Sequence, residues 1–68
     1  MKLVVLGYGN VAFHIIKTLQ DSNIEIVQLY GRNKDTVSEL ASQFNLLYTN
    51  DILNITDDTD VYLFAISD

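Results

Sequence analysis

Six consecutive residues, Gly7-Tyr8-Gly9-Asn10-Val11-Ala12, satisfy the pattern G-x-G-x-x-[G/A]. Glycines at this spacing leave main-chain N–H groups with no side chain in front of them, and such groups bind the oxygens of a diphosphate. Each position has a mechanical reason. Gly7 permits a tight turn, Gly9 lets a pyrophosphate approach the backbone, and Ala12 is small enough for a helix to pack on a sheet. Tyr8 lies inside the loop. Asn10 and Val11 begin a segment whose unpaired amides and partial positive charge suit phosphate. The same glycines also fit an ordinary turn, so the flanking elements decide between the two readings.

A second cluster, Tyr30-Gly31-Arg32-Asn33, lies about 20 residues past the glycines, where a site selective for NAD carries an Asp or Glu for the ribose 2′-OH. Glu25 stands at the wrong end of this strand. Arg32 is suited to a 2′-phosphate and can stack on an adenine, Asn33 can donate to the same phosphate, and Lys34 adds charge. The reading is NADP in preference to NAD. S-adenosylmethionine also prefers an acid at this position, which argues against a methyltransferase-like site. The bland alternative is a solvated basic turn. A third segment ends Ala65-Ile66-Ser67, small groups that would line the approach to the nicotinamide ribose of such a cofactor; a core strand followed by a polar loop is equally compatible.

Other chemistry is poorly supported. His14 has no acid or nucleophile near it in sequence. Asp57, Asp58 and Asp60 lack the spacing and glycine of a calcium loop. Tyr8, Tyr30, Tyr48 and Tyr62 lack the basic context of a base-stacking platform.

Positioning these groups requires alternating elements. Residues 3–6 form an apolar run with β-branched Val4 and Val5, closed by Gly7: a strand buried on both faces. Residues 10–20 predict a helix with Val11, Ala12, Ile15, Ile16 and Leu19 on one stripe and Phe13 just outside it. A second strand covers 24–30, with Ile24, Ile26, Val27 and Leu29 supplying both faces. A second helix covers 34–44, buried through Val37, Leu40, Ala41 and Phe44, with Asn45 as its C-cap. A short strand at 46–48, a helical turn near 51–54 and a fourth strand at 61–66, apolar on both faces, complete the pattern. Right-handed crossovers then give a parallel α/β sheet of order 3-2-1-4, the first half of a doubly wound fold. Both helices fall on one face, leaving the other apolar face almost uncovered. The expectation is therefore the front of a longer chain, or an oligomer that covers that face.

Composition bounds the remaining possibilities. The 68 residues allow one small domain, 49% apolar and 19% charged, with no cysteine and one histidine for a disulfide or zinc staple. A net charge of −5 argues against broad nucleic-acid binding. No apolar run approaches the roughly 20 residues of a membrane span, and no signal peptide is visible. A cytoplasmic, non-membrane protein is expected.

Gly-x-Gly-Asn-Val-Ala, then Gly-Arg-Asn, then Asp-Val-x-Leu-x-Ala-Ile-Ser at residues 60–67 resembles the N-terminal domain of the pyrroline-5-carboxylate reductase and deazaflavin-dependent NADP oxidoreductase group. The similarity is greatest to Rossmann-like proteins with a helical C-terminal domain of unknown function. The resemblance implies that residues 1–68 are the N-terminal portion of a Rossmann NAD(P)-binding domain. It also implies a small-molecule substrate held by a C-terminal domain, a homodimer in the full-length protein, and catalytic residues outside this stretch. Ile66-Ser67-Asp68 departs from the Ala-Val-Lys-Pro of pyrroline-5-carboxylate reductases, which points away from that activity. A nucleotide-sensing module without turnover is the alternative to an oxidoreductase.

Overall fold

The computed structural model describes residues 1–7 and 9–65, so Tyr8, Ile66 and Ser67 of the expected site lie outside the described residues. The chain runs β1 (Lys2–Gly7), α1 (Gly9–Leu19), β2 (Glu25–Tyr30), α2 (Lys34–Phe44), β3 (Tyr48–Thr49), a 3-10 turn (Ile52–Asn54) and β4 (Val61–Ala65). The strands are parallel in the order β3-β2-β1-β4, as the alternation of elements predicts. The short third strand sits two residues later than its expected start, because Leu47 serves only as a carbonyl acceptor for Leu29 N–H at 2.9 Å.

Periodicity accounts for the core. Leu3, Val5, Leu29 and Ala65 of the sheet meet Ala12 and Ile16 of α1 and Val37, Leu40 and Ala41 of α2. Val11, expected on the buried stripe, is exposed: it sits in the first turn of α1, at the end of the strands, with little sheet beneath it. Phe13 packs on Phe44, ring centroids 5.4 Å apart, and so joins the two helices. The ends of α2 are capped from the sequence. Asn33 Oδ1 accepts from Thr36 N–H, and Asn45 turns left-handed (φ 57°) while its N–H reaches Ala41 O. Asparagine tolerates both geometries better than most residues.

Strand β2 does not alternate simply. Leu3 pairs with Ile26 and Val4 with Gln28, so the register shifts by one residue at Val27. A one-residue shift re-phases every later side chain. It puts Leu29 in the core with Val5, and Gln28 on the second face with Val4.

That second face is better covered than expected. The segment between β3 and β4 crosses it, and Thr56 is tied to the residues on both sides of Val4: its N–H donates to Gln28 Oε1 (2.8 Å) and its carbonyl accepts from Tyr62 OH (2.7 Å). Val4 is fully buried as a result. The expectation of an almost bare face survives only toward the carboxyl ends of the strands, where the fourth strand, apolar on both faces as read, buries only one of them. Phe64 is 70% exposed and Tyr62 44%. The reason is position, since β4 is an edge strand among the described residues and only its Leu63 and Ala65 face the helices. No helix of the described residues is long and apolar enough to cross a membrane.

Candidate dinucleotide-binding site

Parallel pairing brings the carboxyl ends of the strands to one rim. There Leu6 is in register with Tyr30 of β2, and Gly7 with Ala65 of β4. The glycines of the motif do different jobs. Gly7 has φ +143°, and a Cβ on it would collide with the backbone carbonyl of Ala65. Its lack of a side chain lets β4 close on β1, a requirement that adds to the turn read from the sequence. Gly9 has φ +84° and nothing within 4 Å of where its Cβ would stand. The space in front of it is open, as a group approaching the backbone requires. Ala12, one turn on, is fully buried against the sheet, in keeping with the packing role read from its size.

At the end of β2, Gly31 is buried, and a Cβ there would meet Val37 Cβ at 2.8 Å. Its absence lets α2 start close to the strand, so Arg32 emerges directly at the rim. Arg32 is exposed and, among the described residues, pairs with no carboxylate. Asn33 uses Oδ1 for the α2 cap, which leaves its Nδ2 amide as the donor available to a ligand. Gly7 and Arg32 line one cavity of about 300 Å³, whose walls also include Leu6, Tyr30, Ile52, Ile55 and Phe64. The structure therefore brings Gly7 of the first sequence signal and Arg32 of the second together at a largely apolar hollow.

Ile52, Ile55 and Phe64 were not among the expected site residues. Phe64 was legible as the alternate of Leu63 on a strand whose other face carries the helices. The two isoleucines stood as isolated apolar residues in a polar stretch, with no local signal of what they face. Asn10 and Gly9 border a different cleft of about 300 Å³ between α1 and α2, with Phe13, Thr36, Glu39, Leu40 and Gln43. Asn10 and Arg32 thus share no pocket. Ala65, in register with Gly7, is only 1% exposed and belongs to the core. His14 is exposed and lies edge-on to Phe13.

Charge is segregated along the strands. Lys2, at the start of β1, donates its N–H to Asp60 at 2.7 Å and its ammonium lies 3.3 Å from Asp58. That end is separated from Gly7 by about 16 Å at 3.3 Å per residue. These acids are therefore remote from Arg32, and the described residues contain no group of three or more His, Cys, Asp or Glu side chains that could hold a metal.

The profile of a family described as NADP oxidoreductase, coenzyme F420-dependent, matches residues 2–67. The crystal structure of a Bacteroides fragilis protein provisionally described as an NADP oxidoreductase superposes with a TM-score of 0.87 at 30% identity, over 98% of this chain. The chain spans 26% of that protein's length. Among curated proteins, no sequence matches significantly.

Proposed function

We propose, from the premise that the chain belongs to the coenzyme F420-dependent NADP oxidoreductase family, that its Rossmann domain binds NADP(H) in preference to NAD(H) for hydride transfer to or from a small-molecule substrate. The observation that carries this reading is the shared cavity of Gly7 and Arg32, with no acid at the end of β2. The pyrophosphate lies over Gly9, against the amides of Asn10 and Val11, with Gly7 shaping the loop. The adenosine enters the apolar hollow between Arg32 and Phe64. Arg32 and the Asn33 amide hold the 2′-phosphate through hydrogen bonds to its charged oxygens, that of Arg32 reinforced by its own positive charge. Ala65, at the end of β4, lies toward the nicotinamide ribose. When bound, the cofactor supplies the hydride donor or acceptor, and the residues here orient it and keep water from its adenosine half.

A substrate held by a C-terminal domain and a homodimer complete the reading; it is supported by the chain spanning 26% of the Bacteroides fragilis protein it matches. The family description supports a deazaflavin as the hydride partner to assay first.

The test is a fluorescence titration of the full-length protein with NADPH and NADH. NADPH should bind more tightly, and Arg32→Ala should weaken NADPH by about 10- to 100-fold, as expected for a lost hydrogen bond to a charged group, while weakening NADH far less. Equal or tighter NADH binding, or an indifferent Arg32→Ala, would remove the NADP preference. Binding of S-adenosylmethionine in place of either would remove the dinucleotide reading itself.

A further inference from the structure

Gln28 is a polar residue in the middle of β2, between apolar Val27 and Leu29, on a strand paired along both edges. The register shift at Val27 turns it onto the second face. There both ends of its amide are used: Nε2 donates to Asn54 O at 3.1 Å and Oε1 accepts from Thr56 N–H at 2.8 Å. One side chain thus grips the backbone on either side of Ile55. Ile55 and Ile52 are the part of the cavity wall contributed by this crossover.

Little else anchors that wall. The 3-10 turn contains no buried residue, and Ile52 and Leu53 are 67% and 87% exposed. Asp51 Oδ1 organises the turn internally, and Thr49 Oγ1, at the end of β3, holds only the residue before the turn, Asp51. Beyond Asp51, the attachments of this wall to the sheet are the Gln28 grip and the bond from Tyr62 OH to Thr56 O. A buried or half-buried amide satisfied at both ends fixes geometry, because breaking either bond leaves a polar group unpaired.

We propose that Gln28 is a positioning residue for the adenosine half of the cofactor, acting through Ile55; the inference rests on the NADP reading above. Gln28 touches no ligand. It sets the distance between the crossover and Arg32, and hence the width of the hollow that takes the adenine and its ribose. The nicotinamide half lies beyond its reach.

The experiment measures Kd on the full-length protein for NADPH, for 2′,5′-ADP as the adenosine half, and for reduced nicotinamide mononucleotide as the other half. Gln28→Ala should weaken NADPH and 2′,5′-ADP by about tenfold, the scale of one or two lost hydrogen bonds, with the mononucleotide unchanged. Gln28→Glu keeps the acceptor for Thr56 N–H and loses the donor to Asn54 O, so it should fall between. A general loss of structure would weaken both halves alike, and that result, or no loss at all, overturns the proposal. Should Gln28→Ala fail to fold, Tyr62→Phe removes the other tie without disturbing the strand. It must show the same selective loss in smaller measure, and unchanged 2′,5′-ADP binding there overturns the proposal. Failure of the wild type to bind NADPH or 2′,5′-ADP would instead overturn the cofactor assignment, and this inference with it.

Discussion

Gly7 and Gly9 look alike in the sequence and differ in what they forbid. A methyl at Gly7 strikes the Ala65 carbonyl in a backbone conformation that L residues avoid; at Gly9 it meets nothing. Gly7→Ala should therefore destabilise the full-length protein by about 3 kcal/mol or more, seen as a lower thermal midpoint. Gly9→Ala should cost only about 1–2 kcal/mol of backbone strain. It should still reduce NADPH affinity about tenfold or more, because the methyl occupies the space the pyrophosphate needs. Asn33 separates in the same way. Asn33→Asp keeps an N-cap acceptor for Thr36 N–H, so the melting temperature should hold. The lost Nδ2 donor and the new carboxylate should shift preference from NADPH toward NADH, measured as the ratio of the two dissociation constants.

Among the elements, the contact of β2 with α2 is the most constrained. Gly31 leaves Val37 room that no Cβ could share, at 2.8 Å. Gly31→Ala should destabilise by about 1–3 kcal/mol through overpacking. Combined with Val37→Ala it should cost less than the sum of the single changes, since the second substitution vacates the space the first one fills. Denaturant melts of the four proteins give the coupling directly, and strict additivity would contradict the contact. The helices themselves were legible: α2 has the expected bounds, stripe and C-cap, because its periodicity and its Asn45 are local features. The re-phasing of β2 at Val27 was not. Its apolar residues satisfy either phase, and only pairing with β1 selects one.

For the whole molecule, the crossover covers half of the second face and leaves Ile52, Leu53, Tyr62 and Phe64 exposed together with the cavity mouth. An apolar surface of this kind on so small a body favours association. The 68-residue chain expressed alone should self-associate in sedimentation experiments. Leu53→Ser with Phe64→Ser should shift it toward monomer, and an unaltered monomer in both cases would show that the face is inert. The net charge of −5 includes Asp58 and Asp60, which are held by Lys2 at the far end of the strands and not at the rim. Added salt should therefore weaken NADPH more than NADH, because the charge on the 2′-phosphate is met by an exposed guanidinium.

From sequence alone came the alternation of strand and helix, the strand order, the spacing of the glycines and the basic end of β2. The elements and loops are written in short spacings, which hydrophobic period and backbone freedom translate directly into local geometry, and the strand order follows from right-handed crossovers between them. The cavity was decided only in the tertiary structure. Its walls come from three separate strand ends and a crossover, and its far side hangs on a side chain bonded to backbone 26 and 28 residues away. Hydrogen bonds over such separations depend on register and on which face a residue is turned to, and those are properties of the assembled sheet.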